Sequence, residues 1–327
     1  MNTENIKKLC IIVPCYNEEA TLPFFLPEIQ KVGMEIREKF NLIVEYIYIN
    51  DGSKDQTLKI LKEESDKDTQ THYISFSRNF GKEAAIYAGL SHADADYVAI
   101  MDADLQDPPA LLIQMLEEIR SNDYDCVAAR RDNRNGEPII RSYFAHLFYK
   151  IINMLSDVEI MDGARDFRVM KKEMVTAIVS MKEYNRFSKG IFGWVGFKTH
   201  WISYDNVERV AGGTKWSFWK LFQYAIDGII NFSEVPLRVA SWLGFGFTLF
   251  SFFMLVFIVV RRLVFGDPVA GWASTVCVII FIGGIQLFSI GLIGQYIAKI
   301  YAEVKHRPHY IVSESDLGLL PSKKAND

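Results

Sequence analysis

Short apolar runs recur along the first third of the chain, at positions 9–13, 43–49, 73–76 and 97–101. Little polar alternation interrupts them, which is the pattern of strands buried on both faces of a parallel sheet. Between them lie stretches of helical period. Phe24, Leu26, Ile29 and Ile36 share one face after the first run, a second helix is expected from Ser53, and a third reaches about His92. Asn17 is placed to cap the first helix, with Glu18 and Glu19 favoured by its dipole. Ser53 and Gln56 read as a capping box for the second. After the fourth run, Asp107-Pro108-Pro109 stops the strand and starts another helix, where proline is tolerated in the first turn. A fifth strand is expected at 125–131, and 162–170 reads as a turn into a strand with charge on alternate positions. This β-α-β-α rhythm with short loops predicts an α/β domain over residues 1–213, a mostly parallel sheet flanked by helices.

Beyond it the pattern changes. Residues 190–197 form a glycine- and aromatic-rich segment that suits either an apolar groove or ordinary packing. From 214 to 235 aromatic and aliphatic residues dominate, with Lys215 and Lys220 near the start, as in an interfacial amphipathic helix; a buried core helix is a close competitor. Residues 239–260 carry no charge and neither do 270–298. Each is long enough to cross about 30 Å of hydrocarbon, so 236–298 is expected to form a two-helix transmembrane hairpin. Arg261 and Arg262 lie in its connection, but Lys215, Lys220, Arg238, Lys299, Lys305 and Arg307 on the other side outnumber them. Both termini and the α/β domain are therefore expected on the cytoplasmic face. Gln286 and Gln295 are costly in lipid and are expected to face a neighbouring helix, in a homo-oligomer packed through the hairpin. The segment 299–327 is expected to be a cytoplasmic tail, polar and mobile after Arg307.

Composition agrees with a membrane-attached protein. Of 327 residues, half are hydrophobic, and the excess is concentrated after Arg238. A formal net charge of -4 argues against a nucleic-acid binder. The four cysteines have neither metal-ligand spacing nor a paired framework, as suits a reducing compartment. Residues 9–13 are too short for a signal-peptide core.

The chemistry-bearing residues fall at strand ends. The fourth run leads directly into Asp102-Ala103-Asp104-Leu105-Gln106, two carboxylates that repel each other unless a cation lies between them. Taken alone the pair reads equally well as a site for a hard divalent metal on a diphosphate or as a helix cap at Asp104 beside a solvated Asp102. The first and second runs also end in polar residues, Tyr16-Asn17-Glu18 and Asp51. Strand ends of an open α/β sheet share one rim, so these groups can converge on one ligand. Glycine-rich phosphate loops are absent after the first strand, which argues against a dehydrogenase or a P-loop protein. Arg130 and Arg141 bracket the same rim with a fork geometry suited to phosphate. The loop Arg209-Val210-Ala211-Gly212-Gly213-Thr214-Lys215 allows close approach of an anion to the backbone.

These motifs occur in order. Val13-Pro14-Cys15-Tyr16-Asn17-Glu18-Glu19, Asn50-Asp51-Gly52-Ser53 and Asp102-Ala103-Asp104-Leu105-Gln106-Asp107-Pro108-Pro109 resemble glycosyltransferase family 2, whose fold is GT-A (Rossmann-like). Asp166-Phe167-Arg168, Asn185-Arg186-Phe187, the Arg209–Lys215 loop and the hairpin sharpen the resemblance to its polyprenyl-phosphate branch, the bactoprenol glucosyltransferases and dolichol-phosphate mannose synthases. The chain departs from that branch at Asn50, where aspartate is usual, at Arg165, where glycine is common, and at Gly213, Thr214 and Trp216 of the late loop.

The resemblance implies inverting transfer of a hexose from a UDP-sugar, UDP-glucose or UDP-GlcNAc, to undecaprenyl phosphate at a bacterial inner membrane. It implies Mg²⁺ or Mn²⁺ on Asp102, Asp104 and Gln106. Pro14, Tyr16, Glu18 and Asp51 would hold the nucleoside. Lys82, Arg209 and Lys215 would serve the phosphates bound at the site, and Arg130 and Arg141, with the Arg209–Lys215 loop, would position the acceptor phosphate. Asp104 and Asp166 would complete the catalytic set, with Asp166 orienting sugar or arginine rather than acting as base. The rivals are a processive polysaccharide synthase, whose Gln-x-x-Arg-Trp signature is absent, and a non-catalytic nucleotide-sugar-binding membrane protein.

Overall fold

The computed structural model describes residues 6–131, 161, 163–204, 235–265 and 271–319. Its centre is an eight-stranded mixed sheet. The strands are β1 (Lys8–Cys15), β2 (Ile43–Asn50), β3 (Thr71–Phe76), β4 (Tyr97–Ile100), β5 (Cys126–Arg131), β6 (Ala164–Lys171), β7 (Thr199–Tyr204) and β8 (Val312–Ser315), in the order β7-β5-β6-β4-β1-β2-β3-β8. β1 to β4 are parallel, β6 runs antiparallel between β4 and β5, β7 is parallel to β5, and β8 is antiparallel to β3. The sheet is thus parallel in its centre, as expected, and reversed at β6 and β8.

Helices cover both faces. On one lie α1 (Leu22–Phe40), α2 (Thr57–Ser65) and α4 (Leu111–Ser121); on the other lie α3 (Lys82–His92), α5 (Lys172–Ser180) and the short α6 (Ser188–Trp194). In β1, Leu9, Ile11 and Val13 pack with α1 while Cys10 and Ile12 pack with α3. Burial on both sides is why the run shows no polar alternation. On the α3 face the fit is close. A Cβ at Gly89 would come within 2.2 Å of Ile12 Cγ2, so glycine is what lets α3 lie flat on β1. Ile191 and Phe192 of α6 belong to the same core, so that part of the aromatic segment is packing, while Trp194 is exposed.

Three local expectations are corrected. Asn17 is not a helix cap: it has φ 53°, its N–H donates to Ser53 Oγ, and its Oδ1 accepts from the Lys54 N–H. Ser53 and Gln56 form no capping box, because the Ser53 hydroxyl is used by Asn17 and α2 starts at Thr57. The two loops cross-link each other, and that non-local bonding overrides the local capping signal.

The third correction concerns the C-terminal stretch, expected to be mobile. Residues 308–319 fold back onto the domain. Val312 pairs with Phe76, the Ser77 N–H donates to Ile311 O at 2.9 Å, and Tyr310 stacks on Phe76 at 4.8 Å. Covering the β3 edge satisfies backbone groups that would otherwise template association.

Two long helices, α7 (Val235–Phe265) and α8 (Trp272–Val304), precede that strand. Among the described residues Phe281–Val304 is long and apolar enough to cross a membrane, somewhat later than the expected second span. Phe245, Phe252, Phe257, Phe281, Leu287 and Phe288 are all exposed. Arg141, Arg209, Lys215, the expected interfacial helix 214–235 and the 266–270 part of the connection lie outside the described residues.

Candidate active site

The C-terminal ends of β1, β2, β3, β4, β5 and β7 and the start of β6 meet on one rim. Strand alternation then decides which way each side chain points. Ile100 faces α3, and Asp102, two residues on, keeps that face. On β6, Arg168 pairs with Ile100 in the register, which brings Asp166 beside Asp102. Lys82, the first residue of α3, bridges the two carboxylates at 2.7 Å to Asp102 Oδ1 and 2.6 Å to Asp166 Oδ2. Burial alone would lower the pKa of the Lys82 ammonium, but Asp102 and Asp166 outweigh it and raise it above the ordinary lysine range. Burial works the other way on Asp166, and here Lys82, then Lys189 and Arg168, prevail and hold its carboxyl well below the usual range.

Arg165, one position earlier, points to the opposite face. Its Nε donates to Asp107 Oδ1 and its Nη2 to Gln106 Oε1, both at 3.2 Å. Asp107 is 1% exposed and also accepts from the Tyr204 hydroxyl. Arg165 therefore ties the turn after Asp104 to β6 and β7. That turn is itself unusual: Leu105 has φ 55°, a conformation that costs a non-glycine residue energy and collects at functional sites. The Gln106 N–H donates to Asp104 Oδ1 at 3.1 Å. Buried Arg168 donates to the backbone carbonyls of Asp166 and Arg165 and stacks on the Phe192 ring at 3.6 Å, fixing the start of β6.

On the β2 side, Asp51 is 3% exposed and accepts from the Phe80 N–H at 2.6 Å and the Gly81 N–H at 2.9 Å. Burial raises its pKa, and the two amides and Arg78 counter only part of that. Gly52, at φ 63°, lets the β2 loop reach this position; a Cβ there would lie 2.2 Å from the Arg78 carbonyl carbon. Glu18 sits at the end of β1, its N–H on Thr57 Oγ1 and its Oε2 accepting from Thr21. Tyr16 is half-buried in the same loop. Pro14 lies one residue before the end of β1, paired with Ile49 of β2.

The structure thus brings together Asp102, Asp166 and Lys82, with Asp104 and Gln106 on the adjoining turn and Arg165 of β6 bonded to that turn. Arg130 stands apart from this group: its Nε donates to Ser203 Oγ at 2.9 Å and its Nη1 to Met161 Sδ, two strands away from β4. Glu83 was not singled out from the sequence. Its half-buried carboxylate accepts from the N–H and hydroxyl of Ser188, and only its place beside Lys82 hints at a role.

No three His, Cys, Asp or Glu side chains cluster as a self-sufficient metal cage among the described residues. Two carboxylates on one strand-end turn fit instead a hard cation that completes its shell with diphosphate oxygens and water, the habit of Mg²⁺ and its neighbours. Each of the three donors expected for an ion has a protein partner: Asp102 has Lys82, Asp104 the Gln106 N–H, and Gln106 the Arg165 guanidinium.

Comparison with known proteins agrees with this architecture. The chain is 41% identical to the SfII prophage-derived bactoprenol glucosyl transferase of Shigella flexneri, over 95% of this chain and 99% of that one. It is 39% identical to a prophage bactoprenol glucosyl transferase homolog of Escherichia coli K12, over 93% and 98%. It is 40% identical to the putative glycosyltransferase CsbB of Bacillus subtilis, over 94% and 92%. The family model for glycosyl transferase family 2 matches residues 10–178, the span that carries every strand-end acid described above. A mixed α/β sheet with these acids on one rim, and these relatives along nearly its whole length, make the chain a glycosyltransferase that belongs to family 2.

Proposed function

We propose that the protein transfers a hexose, glucose foremost, from a UDP-sugar to the phosphate of a polyprenyl lipid at the cytoplasmic face of a bacterial membrane. The relatives named bactoprenol glucosyl transferase support the lipid and the sugar. The observation that carries the reading is topological. The chain leaves the sheet toward α7 after Tyr204, whose hydroxyl bonds Asp107, and returns from α8 at Val312, beside the end of β3. The strand ends that lead to and from the apolar helices, Tyr204 of β7 and Val312 of β8, are therefore on the rim that holds Asp102, Asp104 and Asp166, and in this reading α7 and α8 act as a membrane hairpin that turns this rim toward the bilayer.

In the reaction, an acceptor phosphate oxygen attacks the anomeric carbon while the bond from that carbon to UDP breaks, a single displacement that inverts configuration. The acceptor is a phosphate monoester with a second pKa of about 6, so at neutral pH the nucleophile is already ionised and no base is required. Asp166 fits this. Held ionised by Lys82, it is too weak a proton acceptor for base catalysis, which works best near the ambient pH, and it orients Lys82 and the sugar instead. Asp102 and Asp104 hold Mg²⁺ or Mn²⁺, which when bound supplies Lewis-acid neutralisation of the departing diphosphate. Tyr16, Glu18 and Asp51 line the nucleoside side, and Arg130, with Arg141, Arg209 and Lys215, serves the acceptor phosphate.

The test is transfer from a panel of radiolabelled UDP-sugars to undecaprenyl phosphate in detergent. The expected result is a lipid-linked product from UDP-glucose that disappears with EDTA and in Asp104→Ala. No lipid-linked product from any donor overturns the reading.

A further inference from the structure

The last turn of α8 is bonded to the catalytic domain at one place. Glu303, one residue before its end, accepts from the Tyr184 N–H with both carboxylate oxygens at 2.9 Å, from the Asn185 N–H at 3.0 Å and from Asn185 Nδ2 at 3.1 Å. Asn185 Nδ2 also reaches the Lys299 carbonyl at 3.3 Å. One carboxylate thus gathers three donors of a single loop, far more than a solvated helix-end acid needs.

That loop leads to the active centre. Arg186 anchors it to α5 through the Met181 and Ile178 carbonyls and lies over the Tyr87 ring of α3 at 4.5 Å. Ser188 then donates to Glu83, which adjoins Lys82, the bridge between Asp102 and Asp166. A second strap follows α8: His309 packs between the rings of Tyr87 and Tyr184, with centroids at 4.6 and 5.9 Å. Helix α3, which presents Lys82 from its first turn, is therefore braced by two contacts that originate at the end of the apolar helix.

We infer that Glu303 is a positioning residue that sets the height of the Lys82–Asp102–Asp166 cluster above the bilayer, so that a phosphate carried at the membrane surface meets the donor in line. The inference rests on the membrane-acceptor reading above. Misplacement by about 1 Å can cost a displacement reaction up to about 100-fold, and a clamp at the membrane end of α8 matters only when the acceptor itself is held by the membrane.

The experiment compares the full chain with Glu303→Ala and Glu303→Gln, in lipid nanodiscs, on two acceptors: undecaprenyl phosphate and a short isoprenyl phosphate that stays monomeric in water. Glu303→Ala is expected to lower kcat/KM for the long acceptor about tenfold, with the short acceptor and UDP affinity within about twofold of wild type. Glu303→Gln, which keeps one acceptor oxygen, is expected to recover part of the loss. An equal fall on both acceptors, or no fall on either, overturns the inference.

Amide hydrogen exchange on the same proteins tests the brace without any acceptor. Exchange at Tyr184, Asn185 and the first turn of α3 is expected to quicken in Glu303→Ala, and unchanged exchange there also overturns the inference. A wild-type chain inert toward both acceptors would break the reaction assigned above, and the exchange comparison would then decide the coupling by itself.

Discussion

Asp51 and Asp166 are both nearly buried carboxylates on the same rim, and they are neutralised in opposite ways. Asp51 is held by two backbone amides in a loop that Gly52 alone can close, and burial raises its pKa. Asp166 is held by the ammonium of a lysine that it shares with Asp102, with Lys189 and Arg168 also near, and its pKa is depressed. The β2 side is thus a cradle of fixed backbone dipoles, whereas the β4–β6 seam is a set of side-chain charges. Recognition of a constant nucleoside suits the first. Chemistry on a charge that moves from acceptor to leaving group suits the second.

Substitutions can separate the two regions. The largest effect is expected from Asp104→Ala, which removes a proposed metal donor from the turn beside the seam: transfer should fall about 100-fold or more, with metal-independent UDP contacts kept. A sugar-transfer assay at saturating donor measures it. Next, Arg165→Gly restores the residue common in relatives of this branch but leaves Asp107 buried with Tyr204. Removing one partner of a buried ion pair costs roughly 3–5 kcal/mol. With Arg165 at 25% side-chain exposure, a loss of about 2–3 kcal/mol in urea denaturation is expected. A higher Mn²⁺ requirement should accompany it, because the turn carrying Asp104 loses its tie.

Gly52→Ala attacks the cradle instead. Strain at positive φ and the clash with Arg78 should cost about 1–3 kcal/mol, read as a lower melting temperature, while the metal requirement of the surviving activity stays unchanged. A changed metal requirement would blur the distinction between the two regions.

The smallest effect is on pH dependence. Asp166 has a folded pKa below its unfolded value of about 3.9, so it contributes stability that is complete above that value and is lost as the pH falls below about 4. Asp166→Asn should flatten this acid limb and remove about 1–2 kcal/mol at neutral pH, a buried-pair cost discounted because Lys82 keeps 43% side-chain exposure. Circular dichroism against pH, with wild type alongside, measures it, and an unaltered acid limb would show that the pair contributes nothing.

The two regions were also unequally legible in the sequence. β1 to β4 and their strand-end acids follow from local signals, because parallel buried strands announce themselves as apolar runs and their C-terminal ends share a rim. The seam depends on β6 entering antiparallel between β4 and β5, a pairing across about 70 residues that no local period encodes. Hence Asp166 was suspected only through family resemblance, and Arg165 was noted as a departure without its partner Asp107. The C-terminal strand shows the same limit: residues 312–315 are polar and read as tail, yet β3 offers an open edge. Capping signals at Asn17 and Ser53 misled for the reverse reason, since those side chains serve each other across two loops.

The claim on which the account depends is that Asp102 and Asp104 form a half-site completed by metal and diphosphate together. It is tested most directly by calorimetric titration of UDP into the full-length wild type and Asp104→Ala, each with Mn²⁺ and with EDTA. The account requires Mn²⁺ to tighten UDP binding at least about tenfold in the wild type, and requires Asp104→Ala to abolish that gain. Equal affinity in all four titrations would contradict it.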